Sequence, residues 1–330
     1  MFKSDNITEV DVKENKIINL DPSILEILLK DRTTKKNIIW GTDTYKNRGA
    51  QYFENCPICI EQITGRLGNV IKPRIEKSKR EQLNRSKNKA EVFTPSWICN
   101  KQNNMIDEAW FGYENVFNKE IEEGWITNHF PIKFNKKNWE DYVKDIRLEM
   151  SCGEAPYLVS RYDTVTGNTI PVMDRIGILD RKIRIICENI SNEEDWIEWT
   201  KKAIQSTYGY DWQGDNILIA RENLLYTVID FYEYKFNKKI SNLLLIDLAE
   251  IISWNIWQMD GIKGVVPNSC KTEILEQFSF FGEKKIIGNK CVGCEKGNIL
   301  KHNGKKCVIM DWEKNKKVKY ISLIGGKNGK

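Results

Sequence analysis

Apolar residues in "PSILEILLKD" (22–31) recur at helical spacing, with Pro22 and Ser23 near the start, so a helix is predicted there. Around Pro95 the chain is predicted to run extended, turn, and continue as a helix marked by Trp97, Ile98, Met105, Ile106 and Trp110. A residue before proline is pushed out of the helical region, which leaves Thr94 at the helix entry, where polar ligands bind well. Residues 111–140 read as a loop-rich insertion with aromatic-containing turns. Arg147 to Met150 alternate in character and lead into the small residues Ser151, Cys152 and Gly153, the signature of a strand entering a tight turn. A short strand is expected over 176–179, ending in Asp180 and followed by a helix. An amphipathic helix is expected over 193–209, and a strand within 210–220 ends at Gly214 and Asp215. The apolar run 243–257 is either a buried helix or a strand followed by a helix. Strands alternating with helices favour an α/β layered sheet.

Texture divides the chain into an N-terminal arm or cap (1–90), an α/β domain (91–262) and a small cysteine-rich C-terminal segment (263–330). The formal net charge, 51 − 46 = +5, is too mild to imply a polyanion partner, but its distribution is uneven. Residues 72–91 are strongly basic and nearly free of large apolar side chains. They are either a solvated helix or linker, or a DNA-contacting element in which Lys72, Arg74, Lys77, Lys79, Arg80 and Arg85 meet backbone phosphates. No stretch approaches 18 uncharged apolar residues, and the charged N-terminus has no apolar signal core, so a cytoplasmic location and no membrane partner are expected.

The nine cysteines are then expected to be reduced, with Cys99, Cys152 and Cys187 read as small buried hydrophobes. Cys291, Cys294, His302 and Cys307 give a CxxC, a histidine and a cysteine, enough for one tetrahedral zinc; the alternative is incidental thiols in a hairpin. Cys56 and Cys59 share CxxC spacing but have no local partners. With only His129 and His302 available, histidine acid–base catalysis has little support.

Acidic residues recur at the expected strand ends: Glu149, Asp180 and Asp215. Ligands of open α/β sheets bind in the crevice at the carboxyl ends of the strands, where a small-residue turn allows close backbone approach. Carboxylates there can accept from ribose hydroxyls and an exocyclic amine, which describes a site for an adenosine-containing cofactor.

The order of these segments resembles that of adenine-N6 DNA methyltransferases of restriction–modification systems, over roughly residues 90–220. "EVFTP" resembles the family's Phe/Tyr-Thr-Pro segment, "LEMSCGEAPYL" its glycine loop, "IGILDRK" its ribose-holding segment and "QGDN" its adenine-contacting one. The resemblance implies a Rossmann-like class I methyltransferase sheet with helices on both faces. It implies S-adenosylmethionine as cofactor, double-stranded DNA as substrate, and a restriction or specificity subunit as partner. It puts Phe93, Thr94 and Pro95 at the methionine end, Glu149, Ser151, Cys152 and Gly153 in the loop, Asp180 on the ribose and Asp215 on the adenine amine. Two departures stand out. Ala155 replaces the loop's second glycine, acceptable if its φ stays negative. The tetrapeptide Asp/Asn-Pro-Pro-Tyr/Phe, which accepts from the target amine and stacks on the flipped base, is absent. In chain order Asn255 and Trp257 are its replacement, unless they are core residues of an apolar helix; Asp311 beside Trp312 is a rival, unless that stretch is a surface hairpin. Methyl transfer to an adenine amine is therefore one expectation. A catalytically degenerate fold serving as a DNA- or cofactor-binding subunit is the other.

Overall fold

The computed structural model describes residues 10–11, 13–89, 91, 94–135, 137–278 and 284–324. Helices α1 (Glu14–Leu20) and α2 (Pro22–Leu29) come first, then α3 (Ile60–Ile63), the basic α4 (Lys79–Lys89) and α5 (Ser96–Phe111). A hairpin of β1 (Asn118–Ile121) and β2 (Gly124–Thr127) and the short α6 (Trp139–Lys144) lead into β3 (Arg147–Met150). Next come α7 (Ile178–Asn189), α8 (Glu193–Gln205), β4 (Thr207–Asp211), α9 (Gly214–Phe236), α10 (Asn242–Asn255) and β5 (Ile256–Gln258). The C-terminal part holds a hairpin of β6 (Glu273–Phe278) and β7 (Lys284–Asn289), then α11 (Val292–Lys296), a hairpin of β8 (Val308–Asp311) and β9 (Lys316–Lys319), and α12 (Tyr320–Ile324).

The fold is mixed α/β around a three-stranded parallel sheet in the order β3-β4-β5. Arg147 pairs with Thr207 and Met150 with Tyr210; Gly209 pairs with Ile256 and Asp211 with Gln258. All five residues of β4 are buried, as befits a central strand. Parallel neighbours need long crossovers, and right-handed crossovers between successive adjacent strands put their helices on one face. Helices α8, α9 and α10 contact the sheet, and α2 lies against α10. The opposite side is not a second helical layer. Tyr208, Tyr210 and Trp257 pack there with Met259, Cys307, Ile309 and Tyr320 from the C-terminal part.

Two local expectations are corrected, and one left open is settled. Asp180 does not end a strand: it is the third residue of α7, and its Oδ2 accepts from Gly177 N at the helix start. The spacing of Ile178, Leu179, Ile183 and Ile186 is helical, and all four are buried. The strand expected to end at Gly214 and Asp215 ends at Asp211, because Gly214 opens α9. The run 243–257 is a buried helix whose last residues pass directly into β5. The insertion 111–140 contains the β1–β2 hairpin.

The described residues of 1–90 do not stand off as an arm. Ile17, Ile24, Leu25, Leu28, Trp40, Ile58 and Ile63 are buried in the same apolar cluster as the helices of the α/β core. Among the described residues, no helix is long and apolar enough to cross a membrane.

Candidate cofactor crevice and cysteine–histidine cluster

A crevice of about 650 Å³ opens at the carboxyl ends of β3 and β4, within the size range of small-molecule sites. Its floor is the turn after β3. Cys152 N donates to Tyr210 O at 2.8 Å, tying the turn to β4, and Gly153 N donates to Asp211 Oδ2 at 3.0 Å. Ser151, Gly153 and Ala155 all have positive φ, at 52°, 54° and 64°. Ala155 therefore adopts the left-handed backbone of the glycine it replaces, which a Cβ makes unfavourable by about 1–2 kcal/mol. The expectation of a negative φ at Ala155 is not met; its burial among core residues holds the strained turn in place.

The other walls come from distant chain segments. Gln258 joins β5 to the N-terminal region, accepting from Ile39 N at 2.9 Å and donating to Ile39 O at 2.8 Å. Trp212 Nε1 donates to Gly41 O at 2.7 Å. A Cβ on Gly41, whose φ is +76°, would lie 2.7 Å from Trp212 O, so only glycine fits that wall. Thr94 lines the crevice at the entry to α5, with Pro95 at the N-cap rather than inside the helix. The N-terminal amide of α5 is taken, because Ser96 N donates to Asp163 Oδ2 at 2.6 Å. Phe93 lies outside the described residues.

The lining is rich in acceptors that lack donors. Glu149 Oε2, Glu91 Oε1 and Gln213 Oε1 are buried without a hydrogen-bond partner, and all three residues line the crevice. Burial pushes the Glu149 carboxyl well above its usual range, partly offset by the N–H groups of Tyr157 and Leu158. Burial likewise raises Asp211 to about 6, against the opposing donation from Gln213 and Gly153 backbone. Asp211 ends β4, beside the Gly153 turn; sequence reading missed it because the pairing of β3 with β4 is what brings the two together.

Two residues expected in this crevice lie elsewhere. Asp180 is 1% exposed and accepts through Oδ2 from Ser160 N, Ser160 Oγ and Gly177 N, so it pins the 158–160 segment to α7. Asp215 sits beneath the crevice in an ion-pair network. Arg85 Nη1 and Tyr45 OH donate to its Oδ2 at 2.7 and 2.8 Å, and Lys77 Nζ lies 3.7 Å away. Burial alone would raise the Asp215 carboxyl, but the charges of Arg85 and Lys77 hold it well below its usual range. Arg85 also donates from Nε to Glu91 Oε2 at 2.6 Å. Two of the six basic-segment cations, Lys77 and Arg85, are thus buried docking groups, because the carboxylates they meet are buried. Lys79 and Arg80 are exposed, and Lys72 and Arg74 half-buried.

Asn255 and Trp257 do not face the crevice either. Asn255 is fully buried, donates from Nδ2 to Ile204 O and Thr207 O, and accepts at Oδ1 from Trp312 Nε1 at 2.7 Å. Its amide is fully engaged where α10 turns into β5. Trp257 packs against Tyr208, Tyr210 and Tyr320 on the far side of the sheet. Asp311 and Trp312 belong to the β8–β9 hairpin and its turn.

The C-terminal part holds a cluster that could bind a metal ion such as zinc. It consists of Cys270, Cys291, Cys294 and His302, whose ligand atoms all lie within 4.8 Å of one another. Cys307, expected as the fourth ligand, is fully buried elsewhere and donates from Sγ to Gln258 O at 3.6 Å. It immediately precedes β8, which carries it into the apolar layer beneath the sheet. Cys270 takes its place. Cys56 and Cys59 form no such group among the described residues.

Comparison of the chain with family models, with curated proteins and with solved structures gives no match.

Proposed function

We propose that the crevice binds the adenosine part of S-adenosylmethionine and that the chain is a methyltransferase-type domain of a restriction–modification system acting on an adenine amine of double-stranded DNA. The observation that carries this reading is the set of unpartnered acceptors in the lining. Glu149, Glu91 and Gln213 each present a buried oxygen without a partner, beside the Asp211 carboxylate and a left-handed Gly153 turn. Buried acceptors without donors are costly unless a ligand supplies them. A nucleoside with two ribose hydroxyls, an exocyclic amine and a positively charged tail supplies several donors and a compensating charge. In this reading Asp211, rather than Asp180, takes the ribose hydroxyls, and Glu149 faces the cationic tail. The bound cofactor would provide an electrophilic methyl group.

A second reading has a specific observation behind it. Asn255 and Trp257 are locked into the core, so neither is free to accept from a target amine or stack on a flipped base. The chain would then bind the cofactor, and DNA along the exposed cations of α4, while a restriction or specificity subunit supplies the rest. Isothermal titration of the full chain with S-adenosylmethionine tests the shared foundation. Saturable heat that Asp211→Asn weakens tenfold or more supports it; no heat at millimolar ligand removes it. Transfer of labelled methyl groups to duplex DNA then separates the two readings.

A further inference from the structure

Three sulfur atoms converge on one imidazole nitrogen. His302 Nδ1 lies 3.7 Å from Cys270 Sγ, 3.6 Å from Cys291 Sγ and 3.5 Å from Cys294 Sγ. A ring nitrogen is either one donor or one acceptor, so hydrogen bonding can satisfy one of these contacts and leaves the other two unexplained. A tetrahedral ion explains all three. Zinc–sulfur bonds of about 2.3 Å and zinc–nitrogen bonds of about 2.0–2.1 Å put a sulfur and a nitrogen ligand about 3.6 Å apart.

The surroundings are shaped for such a centre. Asn303 N points at Cys291 Sγ, 3.3 Å away, the kind of donor that stabilises a thiolate ligand. A Cβ on Gly293 would fall 2.5 Å from His302 N, so the CxxC turn can close against the histidine only with glycine there. A Cβ on Gly304 would lie 3.0 Å from Cys270 Sγ. Cys291 and His302 are buried, Cys270 is half-buried and Cys294 is exposed, giving the cluster a buried side and an open front.

The ligands also bracket one element. Cys270 lies just before β6 and Cys291 just after β7, and among the described residues these two strands pair only with each other. A lone two-stranded ribbon is marginal in water, so a clamp across its base has something to stabilise. The same clamp reaches the cofactor crevice. Ser269 Oγ bonds Val266 O at 2.6 Å and accepts from Lys305 N at 2.9 Å, while the neighbouring Asn268 lines the crevice.

We propose that Cys270, Cys291, Cys294 and His302 hold one structural zinc ion, that this ion closes the base of the β6–β7 hairpin, and that it fixes the 268–270 wall of the crevice. The ion has four protein ligands and no open position, so it has no catalytic part. This proposal does not depend on which ligand the crevice takes.

The test uses the full chain and three readouts that ignore enzymatic activity. Metal analysis should find one zinc per chain, and replacement by cobalt(II) should give the intense visible absorption of a tetrahedral thiolate site. Cys307→Ser should keep both signals, whereas Cys270→Ser should lose the tetrahedral spectrum or weaken cobalt binding tenfold or more. Because Cys270→Ser can also fail to fold, Cys270→His, which restores a ligand, should recover tetrahedral cobalt. Chelation of the wild-type chain should speed amide exchange at residues 268–271 and 303 while leaving β4 protected. Absence of bound metal, loss of the site in Cys307→Ser with retention in Cys270→Ser, or a six-coordinate cobalt spectrum would overturn the ligand set. Unchanged exchange at 268–271 after metal removal would overturn the clamp.

Discussion

Asp211 and Asp180 are both buried carboxylates close to the loop after β3, and their partners separate their roles. Asp180 accepts three hydrogen bonds through one oxygen and holds chain segments together, whereas Asp211 lines the crevice and steadies the Gly153 amide. Asp180→Asn should therefore lower stability by about 1–3 kcal/mol in chemical denaturation while leaving nucleoside affinity unchanged. Asp211→Asn should weaken S-adenosylhomocysteine tenfold or more in titration calorimetry, and, because both Asp211 oxygens accept from backbone N–H groups of Gly153 and Gln213, it should also lower the unfolding midpoint. Burial raises Asp211 to about 6, so the carboxylate that accepts from ribose is formed only as pH climbs past that value. Affinity should accordingly strengthen between about pH 5 and pH 7 in the wild type, and this dependence should flatten in Asp211→Asn. The turn 151–153 was legible in the sequence because small residues and a glycine advertise it locally. Asp211 was not, because its importance comes from a hydrogen bond to a residue 58 positions away.

The basic segment reads either as a solvated helix or linker or as a phosphate-contacting element; α4 is docked through Arg85, and Lys77, just ahead of the helix, joins the same network. Arg85 and Lys77 reach Asp215 in the first turn of α9, and Arg85 also holds Glu91. Removing one partner of a buried pair leaves an uncompensated charge, so Arg85→Met should cost about 3–5 kcal/mol, measured by urea unfolding. The double variant Arg85→Met/Asp215→Asn should recover part of that loss. Start and stop of elements were the least legible features. Gly214 reads as the end of a strand, yet it begins α9 because the 38–40 segment approaches it closely. A Cβ there would fall 2.0 Å from Ile39 O. Gly214→Ala should separate that segment from α9 and show as faster amide exchange at residues 38–41. Likewise Cys270 could not be recognised as a ligand from spacing: the β6–β7 hairpin separates it from His302 by 32 positions, while Cys307 lay nearer in sequence.

Over the whole molecule, a mixed α/β fold was readable from alternating patterns, whereas the described residues of 1–90 were not recognisable as part of its core. Their apolar residues are sparse and interrupted by charge, so the local texture looked like an arm, yet α2 packs on α10 and Trp40 is buried. That packing also buries acids. Burial, with the charge of Glu76, raises Asp11 to about 6; burial, with the charge of Asp11, raises Glu14 to about 8; and burial, with the charges of Glu14 and Asp11, raises Glu222 on α9 well above its usual range. A carboxyl raised in the folded state binds more protons there than in the unfolded chain, so its contribution to stability falls as pH rises toward the folded value. The thermal midpoint should thus decline between about pH 5 and pH 8, and Glu14→Gln should shrink that difference. What the crevice between β3 and β4 holds decides the proposed function. A crystal structure of the full chain soaked with S-adenosylhomocysteine tests it most directly. The account predicts ribose density on Asp211, with the nucleoside lying over the Gly153 turn. Density confined to another part of the surface, or an empty crevice at saturating ligand, would contradict it.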